Sequence, residues 1–170
     1  MSKYEVVEKF VSINGEGTKA GQLAVFIRFK GCNLNCKYCD TKWANEQGTP
    51  SQPMTEKEIL DYVLSTGVKN VTLTGGEPLL REGIENVITV LAENNLNIEI
   101  ETNGSVYLDK IRKLHKENVT FTMDYKLSCS GMEKSMCLDN FRILGKNDTV
   151  KFVVGCHDDL IKTKKIIDDY

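Results

Sequence analysis

Three cysteines stand at a spacing that suits a metal cluster. Cys32, Cys36 and Cys39 form a C-x3-C-x2-C pattern within one short segment. Cysteine thiolate is the usual ligand of iron–sulfur clusters, so three thiolates on one loop can hold three irons of a 4Fe–4S cluster. The fourth iron would then lack a protein ligand and could bind a substrate or cofactor directly. The spacing therefore predicts chemistry at the cluster rather than electron storage alone.

Two simpler explanations of this loop stay open, a zinc site and unlinked thiols. Zinc normally takes four ligands, often as two C-x2-C pairs. The loop holds one such pair, and no histidine lies near it in the sequence. The spacing favours the iron–sulfur interpretation.

Three other cysteines, Cys129, Cys137 and Cys156, are irregularly spaced. A second cluster is an alternative, but buried free cysteine is common, so we predict structural thiols. His115 and His157 fall in predicted helices with charged neighbours, and we assign them no role.

Length and composition predict one ordinary soluble domain spanning residues 1–170. Hydrophobic residues make up 41% and charged residues 27% of the 170, and the net charge is −2. That charge gives no electrostatic case for binding nucleic acid. No apolar run has the length of a membrane span, and the N-terminus lacks the apolar region of a signal peptide. We therefore expect a cytoplasmic protein that binds neither nucleic acid nor membrane.

Strands and helices alternate along the chain. Residues rich in Val, Ile, Thr or Phe and bounded by Gly, Asn or Asp predict strands. The predicted strands are Tyr4–Phe10, Gln22–Phe29, Lys69–Thr74, Asn97–Thr102, Val119–Asp124 and Thr149–Val154. The predicted helices are Thr55–Ser65, Gly83–Asn95, Tyr107–Lys116, Glu133–Leu144 and His157–Asp169. Thr55 and Glu58 form a capping-box pattern at the start of the first helix.

This alternation predicts an α/β fold, a mainly parallel sheet with helices outside it, in the form of a partial, open barrel. Parallel sheets bind ligands at the carboxyl ends of their strands. Three polar segments lie at predicted strand ends: Thr74–Pro78, Glu101–Gly104 and Tyr125–Ser128. Gly75-Gly76 alone could be a simple turn, although glycines there also let a ligand approach the backbone.

The segment between the first two strands carries a possible substrate loop. Asn14 and Glu16 offer the donors and acceptors that a pterin or guanine edge would need, although a plain turn-rich connection is the simpler explanation. Arg28 could bind a carboxylate through its bidentate guanidinium, but a structural salt bridge is the commoner use of such an arginine.

Taken together, these segments resemble the radical S-adenosylmethionine enzymes and, among them, the 7-carboxy-7-deazaguanine synthases. The resemblance covers the chain from about residue 4 to residue 154. It rests on Ile13–Gly17, Ala24–Phe29, Gly31–Leu34, Cys39–Thr41, Thr74–Pro78 and Glu101–Gly104.

The resemblance implies a reaction and its cofactors. The family converts 6-carboxy-5,6,7,8-tetrahydropterin to 7-carboxy-7-deazaguanine with loss of ammonia, in preQ0 and queuosine biosynthesis. It uses a 4Fe–4S cluster, S-adenosyl-L-methionine and Mg²⁺. Family members are homodimers, and a flavodoxin-like protein typically reduces them.

The resemblance also assigns residues. It places the cluster on Cys32, Cys36 and Cys39, and Mg²⁺ on Thr41. The implied S-adenosylmethionine site comprises Tyr38, Asp40, Gly76, Glu77, Asn103, Asp124, Tyr125, Lys126 and Ser128. The implied substrate site comprises Ile13, Asn14, Gly15, Glu16, Arg28 and Thr74.

Three features depart from the family pattern. Asn14 stands where glutamine is more frequent, and Asp124-Tyr125-Lys126 matches the family only loosely. Family members also continue through a further strand, so we expect the domain to be short at its C-terminal end. Two other functions stay open: an activase that abstracts hydrogen from a glycine of a partner protein, and a non-catalytic iron–sulfur or zinc module.

Overall fold

The computed structural model describes residues 3–114 and 117–170. Its strands are β1 (Tyr4–Ile13), β2 (Leu23–Phe29), β3 (Gln52–Met54), β4 (Asn70–Gly75), β5 (Asn97–Thr102), β6 (Val119–Tyr125) and β7 (Thr149–Phe152). Its helices are α1 (Glu56–Ser65), α2 (Ile84–Glu93), α3 (Asp109–Leu114) and α4 (His157–Asp169). Short 3-10 turns cover Gly17–Lys19, Lys42–Asn45, Pro78–Leu80, Ser128–Ser130, Glu133–Ser135 and Leu138–Arg142.

All seven strands form one sheet in the order β3-β1-β2-β4-β5-β6-β7. The strand β1 pairs antiparallel with β2 and with β3. From β2 to β7 every neighbouring pair is parallel. β3 and β7 stand at the two ends of this order, so the sheet is open. The predicted α/β class with a mainly parallel, open sheet is confirmed.

The parallel strands are buried on both faces. On β5, the apolar Ile98 and Ile100 are at most 1% exposed, and Glu99 between them, which points to the other face, is also buried at 4% exposed. The same alternation places Thr72 and Thr122 inside, beside Glu99. The apolar set packs in one core with residues of α1 and α2. Side chains alternate in direction along each strand, so the polar set lies on the opposite face of the sheet.

Helix α1 begins as its sequence predicts. The Thr55 hydroxyl accepts a hydrogen bond from Glu58 N at 3.3 Å, and Thr55 N donates to Glu58 Oε2 at 2.8 Å. This is the reciprocal capping box, which satisfies two backbone donors that the first turn leaves free. Ile59 and Val63 of α1 are fully buried, as their helical spacing indicates.

Several predicted bounds differ from the structure. β1 continues three residues beyond the predicted Phe10, so Ile13 is in the strand and the loop begins at Asn14. β3 was not predicted; its three residues include a proline. α3 covers part of the predicted Tyr107–Lys116, of which residues 115 and 116, including His115, lie outside the described residues.

The predicted helix Glu133–Leu144 is wrong, because this segment forms two 3-10 turns. Buried Asn140 explains why. Its side chain donates to the carbonyls of Gly104 and Val106 at 3.1 and 2.9 Å and accepts from Leu108 N at 3.0 Å. These long-range hydrogen bonds hold the segment against the loop after β5, and a sequence pattern does not reveal them.

Among the described residues, no helix is both long enough and apolar enough to cross a bilayer.

We expect Asn140→Ala to lower the free energy of unfolding by about 2 to 4 kcal/mol, because it leaves Leu108 N–H and Val106 O without their partner in the interior. Gly104 O keeps its hydrogen bond from Cys137 N. Urea denaturation followed by circular dichroism measures this change. Asn86→Ala is the matched control: Asn86 is exposed on α2, and its loss should change stability by less than about 0.5 kcal/mol. Equal effects of the two substitutions would contradict the role given to Asn140.

Candidate active site

The cysteine loop leaves the end of β2 and lies beside the carboxyl ends of the parallel strands. There it borders a cavity of about 480 Å³. The lining combines the three cysteines with residues of the loop after β1 and of strands β4 to β7. The sequence-predicted residues that line the cavity are Cys32, Cys36, Cys39, Thr41, Tyr38, Asp40, Gly76, Asn103, Asp124, Lys126, Asn14, Gly15, Glu16, Arg28 and Thr74.

Gly75 and Gly76 bring the end of β4 against the start of the cysteine loop. Gly76 N donates to Phe29 O at 3.1 Å, and Glu77 N donates to Gly31 O at 2.9 Å. A Cβ atom on Gly76 would lie 2.1 Å from Gly31 O, and one on Gly75 would lie 2.2 Å from Phe29 O. Gly75 also has a φ of 137°, which side chains rarely allow. Glycine is therefore needed at both positions for the end of β4 to contact the backbone at the start of the cysteine loop.

One of the three sulfur atoms has N–H donors of the kind that iron–sulfur clusters use. Cys32 Sγ accepts from Leu34 N at 3.4 Å and from Asn103 Nδ2 at 3.5 Å. Cys36 is buried, and burial raises the pKa of its thiol, against the opposing charge of Lys126. A group held mainly as a thiol in the free protein must lose its proton when it binds metal.

The geometry of this loop suits a cluster better than a single zinc ion. Tetrahedral zinc with bonds near 2.3 Å places its thiolate sulfurs about 3.8 Å apart. The sulfur atoms of Cys32, Cys36 and Cys39 do not all lie within 4.8 Å of one another. Among the described residues, another group of possible metal ligands does meet that limit. A cubane cluster holds its cysteines farther apart than one ion does, so three spread thiols on one loop fit it.

Glu77 supports the site from beneath. Its side chain is fully buried and accepts hydrogen bonds from Asn103 N at 2.7 Å, Leu79 N at 3.0 Å and the Thr102 hydroxyl at 3.0 Å. Burial raises the pKa of Glu77 to about 7, although these hydrogen bonds and Lys126 oppose the rise. The carboxylate does not line the cavity, so its contacts indicate that it positions the loop after β5.

The end of β6 adds charged groups to the same cavity. Lys126 Nζ lies 2.8 Å from Asp124 Oδ2 and 5.9 Å from the centre of the Tyr38 ring. Asp124 Oδ1 is buried and has no hydrogen-bond partner among the described residues, and the same is true of Asn45 Oδ1. Both residues line the cavity. Buried polar atoms normally have partners, so these two oxygens indicate a polar ligand.

The loop after β1 is fixed from within the sheet. Asn14 is 1% exposed; its amide donates to Glu99 and its Oδ1 accepts from Glu16 N at 3.1 Å. Gly17 has a φ of 66°, and a Cβ there would lie 2.0 Å from Glu99 Oε1. The Asn14 side chain thus orients the loop, and Glu16 is the side chain of the loop that remains half-buried at the cavity.

Two cations face this loop across the cavity. Arg28 Nε lies 2.9 Å from Glu8 Oε2, as the salt-bridge explanation of this residue requires. That contact uses Nε, and the described residues show no hydrogen bond or ion pair of the two terminal nitrogens, which can therefore bind a ligand at the cavity. Lys151 Nζ lies 2.7 Å from Glu16 Oε1 and 3.6 Å from Asp124 Oδ2, and so joins the β1 loop to the end of β6.

Four sequence-predicted residues do not line the cavity: Ile13, Glu77, Tyr125 and Ser128. Ile13 is 64% exposed at the end of β1. Tyr125 is buried with its ring against Phe141 and Phe152. The Ser128 hydroxyl donates to Asp159 at 2.7 Å.

Sequence reasoning missed several residues at or beneath the cavity, among them the polar residues Asn45, Glu99, Glu101 and Lys151. Glu101 lines the cavity and accepts from the Thr74 hydroxyl at 2.6 Å. Burial raises its pKa, as do Glu16 and Glu99, while the Thr74 hydrogen bond opposes the rise. The strict alternation in Ile98-Glu99-Ile100-Glu101 was a signal for the two glutamates; no comparable pattern marks Asn45.

Glu77 predicts a pH-dependent stability. A carboxyl with a pKa of 4.5 unfolded and about 7 folded stabilises the folded state fully below pH 4.5 and loses that contribution as the pH rises through 7. Glu77→Gln should flatten this loss, by up to roughly 3 kcal/mol, in unfolding measured across that range. Glu82→Gln, an exposed neighbour, should keep the wild-type slope. An unchanged slope in Glu77→Gln would contradict the assignment.

Comparisons with known proteins agree with this geometry. The model of the radical SAM superfamily matches residues 26–126. The chain is 59% identical to a 7-carboxy-7-deazaguanine synthase of Clostridium acetobutylicum, over 98% of this chain and 76% of that protein. It is 36% identical to a synthase of the same name from Methanospirillum hungatei, over 98% of this chain and 68% of the relative.

A solved structure has the same fold. The crystal structure of QueE from Escherichia coli superposes with a TM-score of 0.78 at 23% identity and covers 99% of this chain and 79% of that one. The matched family model and the two synthases together show that the chain belongs to the radical SAM superfamily and, within it, to the 7-carboxy-7-deazaguanine synthases.

Proposed function

We propose that this radical SAM enzyme converts 6-carboxy-5,6,7,8-tetrahydropterin to 7-carboxy-7-deazaguanine with loss of ammonia. The product would serve preQ0 and queuosine biosynthesis. One observation carries the proposal: the three-cysteine loop and the polar loop Asn14–Glu16 border the same cavity. A cofactor held by one loop and a small substrate held by the other would therefore meet.

Cys32, Cys36 and Cys39 would hold the 4Fe–4S cluster. When bound there, the cluster and S-adenosylmethionine supply one-electron chemistry that yields a carbon radical for hydrogen abstraction. Gly76, Asn103, Asp124 and Lys126 would receive the polar groups of S-adenosylmethionine, with Tyr38 and Asp40 beside them. The buried Asp124 Oδ1, which lacks a partner among the described residues, supports this placement.

Thr41 would bind Mg²⁺ through its hydroxyl oxygen. Its Oγ1 lies 3.7 Å from Cys39 Sγ and faces the cavity, so a metal there would adjoin the cluster loop. Mg²⁺ prefers oxygen ligands in an octahedron, and substrate and water would supply the remaining ones.

The substrate would lie between Arg28, Thr74 and the Asn14–Glu16 loop. The terminal nitrogens of Arg28 suit the substrate carboxylate, since a guanidinium binds a carboxylate through two parallel hydrogen bonds. Loss of ammonia needs a proton donor. Glu101 is a carboxyl at the cavity that accepts a hydrogen bond from Thr74, and burial raises its pKa, so we assign it the role of this donor.

The proposal includes the partners expected of the family, a second copy of the chain in a homodimer and a flavodoxin-like reductant. The glycyl-radical activase and the non-catalytic module lose support, because the two relatives described above are named as 7-carboxy-7-deazaguanine synthases. An activase must also admit a protein backbone, whereas the loops here enclose a cavity of about 480 Å³, within the usual size of small-molecule sites.

The test is anaerobic reconstitution of the chain with iron and sulfide. The protein is then incubated with reductant, S-adenosylmethionine, Mg²⁺ and 6-carboxytetrahydropterin. Mass spectrometry should detect 7-carboxy-7-deazaguanine. Cys36→Ala should abolish the product, and Cys137→Ser, outside the cavity lining, should retain it. Cleavage of S-adenosylmethionine without this product would contradict the assignment of the pterin as substrate. Failure to form any cluster would contradict the assignment of radical chemistry to this chain.

Arg28→Gln should raise the KM for the pterin roughly 10- to 100-fold, because it removes a charged hydrogen-bonding partner of the carboxylate. The KM for S-adenosylmethionine should stay the same. Glu8→Gln is the control: it keeps an oxygen acceptor for Arg28 Nε and leaves the guanidinium in place, so the pterin KM should change little. Steady-state kinetics in which the two variants behave alike would assign Arg28 to structure.

A further inference from the structure

A pair of cysteines outside the proposed site lies in close contact. Cys129 is in the 3-10 turn Ser128–Ser130 that follows β6, and Cys156 is the residue before α4. Although 27 residues separate them, their sulfur atoms are 2.8 Å apart. Cys156 is exposed and Cys129 is half-buried. The sequence prediction of separate structural thiols does not include this contact.

A buried aspartate holds the two cysteine segments together. Asp159, in the first turn of α4, accepts from the Ser128 hydroxyl at 2.7 Å and from Cys129 N at 3.2 Å. Its other oxygen accepts from Gly155 N at 3.0 Å, next to Cys156. One carboxylate thus binds the backbone of both segments, so the contact of the thiols is built into the fold.

A metal ion is the first alternative, since Cys129, Cys156 and Asp159 place three ligand atoms within 4.8 Å of one another. Two features count against it. Tetrahedral zinc needs a fourth ligand and sulfurs about 3.8 Å apart, whereas these are 2.8 Å apart. The Asp159 carboxylate also already accepts three hydrogen bonds. The arrangement favours chemistry between the sulfurs themselves.

We propose that Cys129 and Cys156 form a redox-active dithiol, which a small-molecule disulfide oxidises to an intramolecular disulfide. In the first step the Cys156 thiolate attacks the disulfide, and one thiolate of the reagent leaves. In the second step the Cys129 thiolate attacks the Cys156 sulfur of the mixed disulfide, and the second reagent thiolate leaves. The two cysteines lose two electrons and two protons, and the reagent becomes two thiols.

The environment of the two thiols supports this order. Exposed Cys156 is the sulfur that a dissolved reagent reaches first. The hydrogen bond with Cys156, and then Asp159, raises the pKa of Cys129 to about 12, so Cys129 is a poor first nucleophile. Formation of the mixed disulfide removes the Cys156 thiol, which is the largest cause of that rise.

The segment that follows Cys129 contacts the loop that would hold the cluster. Ser130 O accepts from Lys37 N at 3.0 Å, and Met132 Sδ accepts from Asn35 N at 3.5 Å. The turn that carries Cys129 therefore continues directly into residues that contact the cysteine loop. A covalent link to α4 would restrain that turn.

Peptide mapping tests the proposal on the full chain, because trypsin separates the relevant cysteines. Cys129 falls in peptide 127–134, Cys137 in 135–142 and Cys156 in 152–162. The protein is incubated without oxygen in mixtures of reduced and oxidised glutathione, and the remaining thiols are then blocked with N-ethylmaleimide. We expect peptides 127–134 and 152–162 to be joined, at roughly ten times the yield of any link to 135–142.

The variants make the result specific. Cys137→Ser should keep the link, and Cys129→Ser should replace it with a stable glutathione adduct on Cys156, with circular dichroism confirming that each variant folds. Glutathione adducts without the link in the wild type would overturn the proposal. So would zinc detected by native mass spectrometry and lost in Cys129→Ser. The covalent readout is independent of the enzyme's turnover, so failure of the proposed function leaves this test unaffected.

Discussion

The site depends on a backbone contact between Gly75-Gly76 and the residues that lead into the cysteine loop. Two hydrogen bonds join these segments, and any side chain on either glycine would occupy the space of a backbone oxygen. The contact fixes the loop over the strand ends. Because the loop itself is short and has little regular structure, its position is set by the sheet rather than by its own conformation. The ends of β2 and β4 therefore determine where the three cysteines lie.

The polar interior is the second condition for this site. Thr72, Glu99 and Thr122 lie buried on the polar face of the sheet and satisfy one another through hydrogen bonds. Burying polar groups costs stability unless they are paired, so each must be placed where a partner stands. The paired groups anchor the loop after β1 through Asn14. Nearer the strand ends, Asp124 keeps one oxygen without a partner in the described chain, at the cavity.

Local sequence patterns predicted most of the elements correctly. The capping box marked the start of α1, and the predicted bounds of β5 and α4 are those that the structure has. The helix predicted over Glu133–Leu144 failed because Asn140 forms hydrogen bonds with residues more than thirty positions away. Similarly, the motif residues Glu77 and Ser128 could be recognised, but not the partners that turn their side chains away from the cavity.

The double burial of the parallel strands has a consequence for variation in this protein. In a sheet with one wet face, every second residue of a strand can change freely. Along β5, Ile98, Glu99 and Ile100 are all nearly inaccessible, the two isoleucines in the core with the helices and Glu99 on the opposite face. These three positions cannot vary freely, so substitutions would be tolerated on the exposed face of α4 or in the edge strand β3 long before they are tolerated there. The centre of the sheet should be the slowest part of the chain to diverge.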